Sequence, residues 1–323
     1  MSRINYSFCV VLVIITIACG KKLSSSQTAG TTHLRILGYF PGARDWAKGI
    51  TAIDFTKITD LNLAFINPDS TGNFPANDAL KLLIQAAHDN KVRIFASIGG
   101  GNPPSYLAGL MESNRRAGFI ANIVSLAESY NFDGIDVDIE NDLINAQYAP
   151  FVNDLSAAIK PTKKLLTAAL ASWNSDLLTD VTLQQYDFIN IMSYDKTGPW
   201  DTTRPGQHSP FSMVQDDFNY FHNKRNIPAA KLFIGLPFYG YGFGAGVPAG
   251  MSYKQIIAAY PGSENKDEVT VPGGGTIYYN GIPTIKQKLL FAKNNKAAGI
   301  MIWQLLGDST GSVSLLKTIN DSK

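Results

Sequence analysis

Apolar residues gather into eight short runs along this chain: Leu34–Phe40, Ile58–Ile66, Val92–Ile98, Gly134–Glu140, Leu165–Ser172, Phe188–Tyr194, Leu232–Phe238 and Ala298–Trp303. Each has the length of a β-strand, and the stretches between them carry apolar positions at helical spacing. Asp78–Asn90 places Leu80, Leu82, Leu83 and Ala87 on a helix, and Arg115–Tyr130 does the same with Phe119, Ile123, Leu126 and Ala127. Ala149–Ile159 and Ile285–Asn294 read likewise. Strands alternating with helices predict a parallel sheet, and eight of them in this length predict an α/β fold closed as a (β/α)8 TIM barrel. The longest interruption, Tyr241 to Lys296, predicts a small insertion between the seventh and eighth strands. It contains a short helix at Tyr253–Tyr260 and a hairpin around Thr276–Gly281, with Asn280-Gly281 as its tight turn.

The fourth run has a second pattern laid over the first. In Phe132-Asp133-Gly134-Ile135-Asp136-Val137-Asp138-Ile139-Glu140, apolar and acidic residues alternate with period two. Asp136, Asp138 and Glu140 therefore share one face of a strand, and Ile135, Val137 and Ile139 share the other. Three like charges in a row repel, and burying any of them without a partner is costly. A solvated acidic edge strand is the bland alternative. The sharper reading is a strand that carries a proton donor to its carboxyl-terminal end.

Composition narrows the field. The chain has 323 residues, 45% of them hydrophobic, and a net charge of +2 without a basic stripe, so neither nucleic acid nor an anionic surface is expected as a partner. Arg3 and the apolar run Phe8–Ala18 have the form of a signal peptide covering residues 1–18. Thr16-Ile17-Ala18-Cys19-Gly20 resembles a bacterial lipoprotein cleavage box with Cys19 as the lipidated residue, although Thr16 stands where leucine is usual. The expectation is export as an outer-membrane lipoprotein, touching the membrane through that anchor only; ordinary secretion is the alternative. Cleavage there removes Arg3 and Cys9, leaving a net charge of +1 and a single cysteine, hence no internal disulfide. Residues 19–33, rich in Ser, Thr and Gly, read as a flexible tether, and 34–323 as one catalytic barrel, expected to be a monomer.

The fourth strand satisfies D-x-x-D-x-D-x-E with Asp133, Asp136, Asp138 and Glu140; the third ends in Ser97-Ile98-Gly99-Gly100; the sixth gives Met192-Ser193-Tyr194-Asp195; Trp303 closes the eighth. In order and at barrel spacing, these motifs resemble glycoside hydrolase family 18, the chitinase-like family, over Leu34 to Asp308. The resemblance implies hydrolysis of β-1,4 bonds next to N-acetylglucosamine by substrate-assisted, retaining catalysis through the 2-acetamido group. It also implies the roles: Glu140 as general acid, Asp138 and Asp136 as its proton-sharing partners, Tyr194 and Asp195 as groups around the acetamide. Trp303 becomes the floor of the sugar site, Trp200 a stacking platform on the leaving side, and Met192 and Tyr239 substrate contacts; Tyr39 and Phe65, at the ends of strands one and two, are divided between lining the pocket as substrate contacts and packing. Gly99 and Gly100 make a tight turn beneath the sugar; no Lys-Ser/Thr follows to make a phosphate loop. Trp46 and Trp173 are divided between cleft wall and packing. Tyr241 stands where many members have arginine, which puts a polar contact in doubt. His33, His88, His208 and His222 lack metal-ligand spacing, so neither metal nor cofactor is expected.

Two rival readings remain at this point. An endo-β-N-acetylglucosaminidase releasing N-glycans shares the acid motif, and a non-catalytic lectin-like barrel shares the fold. Family lectins lack the acid that Glu140 supplies here. The room left for the insertion implies a reduced wall, an open cleft and endo-type cutting.

Overall fold

The computed structural model describes Met1 and residues 34–42 and 45–323; the expected signal peptide, Cys19 and the tether lie outside the described residues. The strands, in chain order, are β1 (Arg35–Phe40), β2 (Asp60–Leu63), β3 (Arg93–Gly100), β4 (Gly134–Ile139), β5 (Leu165–Leu170), β6 (Phe188–Ile191), β7 (Leu232–Pro237), β8 (Tyr239–Phe243), β9 (Gly250–Ser252), β10 (Glu268–Thr270), β11 (Thr276–Tyr278) and β12 (Gly299–Trp303). β1 to β7 and β12 form a closed parallel barrel in the order β1-β12-β7-β6-β5-β4-β3-β2. Closure leaves β4 no edge, which removes the solvated-edge reading of its acidic face.

The period-two alternation divides the barrel strands between two separate apolar clusters. Outward residues such as Ile36, Leu63, Ile94, Ile98, Ile135, Val137, Leu166, Ile189, Ile234 and Ile300 join the side chains of the surrounding helices in one large core. Inward residues, among them Leu37, Tyr39, Phe95, Ala169, Phe188, Phe233 and Met301, fill the barrel. The helix Asp78–Asp89 contributes Leu80, Leu83, Ile84 and Ala87 to the outer core, capped by Asn77, whose side chain accepts from Leu80 N. The expectation for Leu82 is corrected: it is 62% exposed. Two residues advance a helix by about 200°, so Leu82 cannot share a face with Leu80.

At the amino-terminal end, Arg35 plugs the barrel. Its guanidinium grips the fully buried Asp60 through two bonds of 3.0 and 2.7 Å, and Arg93 adds a third at 2.9 Å. The same guanidinium lies over the rings of Phe188 and Phe233, at 4.7 and 4.6 Å. The charge is buried but fully paired, which is the condition under which a fold tolerates it. That leaves the opposite end for chemistry.

The insertion between β7 and β12 is a four-stranded antiparallel sheet, β10-β11-β8-β9, followed in the chain after β9 by a helix at Tyr253–Ala259. The expected hairpin is corrected. Its strands are Glu268–Thr270 and Thr276–Tyr278, turning through Val271–Gly275, where Gly273 and Gly274 take φ of +109° and +94°. Asn280-Gly281 instead begins the helix Ile282–Asn294, with Gly281 as its N-cap.

Candidate active site

Register assembles the site. Asp136 on β4 lies level with Ser97 on β3 and Thr167 on β5, and all three side chains point inward. Both hydroxyls reach its carboxylate, Ser97 Oγ to Oδ2 at 2.8 Å and Thr167 Oγ1 to Oδ1 at 2.7 Å. Tyr39 adds its hydroxyl to Oδ2 at 2.7 Å, and Asn190 its amide to Oδ1 at 3.2 Å. Each oxygen thus accepts two bonds, the satisfied state of an ionised carboxylate. Burial alone pushes the Asp136 carboxyl up, and these four donors pull against it.

Asp138, two residues on, has no such retinue. Burial first, then the charges of Glu140 and Asp136, and last its hydrogen bond to Glu140, push its carboxyl well above the usual range. Its Oδ1 is buried with no hydrogen-bond partner among the described residues. Glu140 follows the last residue of β4 and borders the cleft. Burial and the Asp195 charge raise its carboxyl to about 7, while the hydrogen bond from Asp138 pulls the other way. A carboxyl that stays protonated near neutrality is what a general acid requires.

Tyr194 and Asp195 leave β6 in the turn that follows it. Among the described residues, the Tyr194 hydroxyl has only the Met301 sulfur within bonding range, at 3.7 Å. Asp195 takes φ of +63°, and its Oδ1 accepts from the Tyr239 hydroxyl at 2.5 Å. Trp303 stacks on Phe65 at 5.7 Å and meets Tyr39 edge-on at 5.4 Å. The Ala64–Phe65 and Trp303–Gln304 peptide bonds are cis. Gly99 has φ of +112°, and a Cβ there would stand 2.2 Å from the Asp138 carbonyl oxygen; one at Gly100 would stand 2.5 Å from the Phe65 ring.

Beyond Glu140 opens a cavity of about 880 Å³, bordered by Met192, Tyr194, Asp195, Trp173 and Trp200. Trp173 and Trp200 are 69% and 62% exposed, whereas Trp46 is buried against Phe40. The division left open in the sequence is thereby resolved: Trp173 belongs to the cleft wall and Trp46 to the core. Tyr39 lies under the site, buried, and meets Asp136 rather than the cleft. The Trp200 ring rests edge-on against Tyr241 at 5.3 Å, so the residue standing in place of arginine supports a cleft wall.

Thr167, Asn190 and Asn67 belong to none of the sequence motifs. The first two had a signal: each is a lone polar residue at an inward position of an otherwise apolar strand. Asn67 clasps Gly99 on both sides, accepting from its N–H at 2.8 Å and donating to its carbonyl at 3.0 Å. Nothing in its local sequence marks that. His208, weighed in the sequence only as a metal ligand, touches Asp195.

A closed parallel barrel with a graded acid cluster at the carboxyl end of one strand is the architecture of a barrel glycoside hydrolase. The sequence profile of glycosyl hydrolases family 18 matches residues 35–308, and the chain belongs to that family. A class V chitinase of Medicago truncatula is 25% identical, with the match covering 94% of both chains. Among solved structures, a family 18 chitinase from the chitin utilization locus of Flavobacterium johnsoniae aligns with a TM-score of 0.81 at 35% identity, covering 90% of this chain and 93% of that one. A chitinase from Bacteroides thetaiotaomicron aligns at 0.78 and 25% identity, over 90% of this chain and 96% of that one.

Proposed function

We propose that the protein is an endo-acting, retaining chitinase that cleaves β-1,4 bonds next to N-acetylglucosamine with the help of the substrate's own acetamide. One observation carries this reading. Among the described residues, the site leaves the buried acceptor Asp138 Oδ1 without a partner and the donor hydroxyl of Tyr194 with only a sulfur. Buried polar groups are normally paired, so an unpaired acceptor and donor in one pocket call for a ligand with a donor and an acceptor. A secondary amide has both: its N–H for Asp138 and its carbonyl oxygen for Tyr194.

The steps follow from that placement. Glu140 gives its proton to the glycosidic oxygen as the C1–O bond breaks. The acetamide oxygen bonds to C1 from the other side, and Asp138 stabilises the positive charge spreading over the oxazolinium ring. The leaving sugar departs along the cavity walled by Trp173 and Trp200. Glu140, now a carboxylate, takes a proton from water whose oxygen attacks C1, reopening the ring with retained configuration. The room beside both tryptophans on the leaving side supports cutting within a chain. Trp303 serves as the sugar floor, with Tyr239 holding Asp195.

Mass spectrometry of the products from chitohexaose and from an N-glycosylated protein, with wild type and Glu140→Gln, tests the assignment. Shortened N-acetylglucosamine oligomers made by wild type alone are expected. Glycans freed with one N-acetylglucosamine left on the protein would move the assignment to a glycan-releasing enzyme, and binding without cleavage to a lectin. We further propose export and anchoring through Cys19, on the strength of the cleavage box; mature, unlipidated protein in the soluble fraction would sink that.

A further inference from the structure

His208 is fully buried, and both ring nitrogens have work. Nε2 lies 3.3 Å from the carbonyl oxygen of Tyr239, and Nδ1 lies 3.5 Å from the backbone nitrogen of Asp195 and 3.4 Å from its Oδ1. One neutral tautomer meets both backbone contacts: Nε2–H donates to Tyr239 and Nδ1 accepts from Asp195. The ring is also packed between Tyr239 and Tyr241, each with its centroid 4.9 Å away.

The segment that carries His208 is fixed from behind. Gln207 donates to the carbonyls of Asp267 and Tyr279 in the insertion, at 3.1 and 2.6 Å. Ser209 Oγ donates to the Ser193 carbonyl at 2.6 Å, in the same turn as Tyr194 and Asp195. Lys288, fully buried, spends its three ammonium protons on Ser209 O, Ser209 Oγ and Asn280 Oδ1, at 2.7, 2.6 and 2.7 Å. Gln207, His208 and Ser209 therefore form a strap that ties the insertion to the turn after β6. Such a tie has a task, because Asp195 holds a left-handed conformation that is unfavourable for a non-glycine residue.

We propose that His208 is a positioning residue for the reaction: its Nδ1, accepting from the Asp195 backbone, holds the Asp195 turn and so keeps the Asp195 carboxylate toward Glu140, while Nε2 only seats the ring against Tyr239. The proposal rests on the assignment of Glu140 as the acid. The titratable groups bearing on Glu140 are Asp138 on β4 and, from the turn after β6, Tyr194 and Asp195; those around His208 are Asp195, Tyr239 and Tyr241. Asp195 is the one that raises the proton affinity of Glu140 by charge, so a loosened Asp195 is visible in the Glu140 titration.

Two near-isosteric replacements separate the contacts. His208→Asn puts an acceptor where Nδ1 was and keeps the Asp195 bond; His208→Gln reaches Tyr239 and loses it. The Glu140 carboxyl is titrated by ¹³C NMR in the full-length protein, assigned through Glu140→Gln, with Asp195→Asn as the reference for a missing charge. Asp195→Asn is expected to move the Glu140 midpoint down by several tenths of a pH unit or more. His208→Gln should move it in the same direction, while His208→Asn holds the wild-type value. A wild-type midpoint in His208→Gln, or equal shifts in both variants, overturns the proposal. The titration uses no substrate, so failure to cleave chitohexaose would overturn the functional reading and leave this result standing.

Discussion

The Tyr39 hydroxyl crosses the barrel from β1 to donate to Asp136 on β4 at 2.7 Å, past the two strands that lie between them. A floor residue thus sets the charge state of the acid cluster above it. The four donors favour the Asp136 anion, and burial, with the charges of Glu140 and Asp136, pushes the Asp138 carboxyl well above the usual range. Tyr39→Phe keeps the ring against Trp303 and removes one of the four donors. Hydrogen bonds to charged groups contribute about 1.5–3 kcal/mol. Tyr39→Phe should therefore lower stability by about that amount in urea melts and cut kcat roughly tenfold with KM little changed. An unaltered kcat would mean that Asp136 keeps its charge without Tyr39.

The pH dependence of turnover follows from Glu140. A general acid works only while protonated, and Glu140, the proposed acid, keeps its proton up to about 7. The alkaline limb of kcat/KM should have its midpoint there and fall about tenfold per pH unit beyond it. A limb near 4.5, the ordinary value for the side chain, would show that the cluster does not hold the proton.

Two tryptophans assigned to sugar contact differ in what else they support. Trp200 is 62% exposed, so Trp200→Ala should change stability by less than about 0.5 kcal/mol. Its loss from the leaving side should cost about 1–2 kcal/mol of binding, seen as a roughly tenfold rise in KM for chitohexaose. Trp303 packs against Phe65 and Tyr39, and Trp303→Ala should lower stability by about 3–5 kcal/mol. Calorimetry beside kinetics separates them, and equal melting penalties would contradict the placement of Trp200.

Much of this was legible because the signals are local and periodic. The alternation in Gly134–Glu140 put three carboxylates on one face, and the structure places that face inside the barrel. Strand ends were read too long at Ile58–Ile66 and Phe188–Tyr194, because apolar residues continue past the last ladder bond into the turns that build the site. The hairpin failed for a related reason: Asn-Gly suits a tight turn, but here Asn280 is buried to receive Lys288. Partners such as Asn67 with Gly99, or His208 with Asp195, meet across loops whose approach only the closed barrel defines. No periodicity carries that information.

Glu140 should be a burden on the fold for the same reason that suits it to the proposed role of acid. Its carboxyl titrates near 7 in the folded chain against an ordinary value of 4.5, so the folded state binds the proton more tightly. Stability from this group is therefore fully present below about pH 4.5, declines as pH rises, and is lost above about 7. The full swing corresponds to roughly 3 kcal/mol. Glu140→Gln has no such charge to bury. In urea melts the variant should match wild type near pH 4.5 and exceed it by up to roughly 3 kcal/mol at pH 8, while losing most turnover. A wild-type advantage at pH 8 would mean that ionised Glu140 is better solvated than its burial against Asp138 and Asp195 implies.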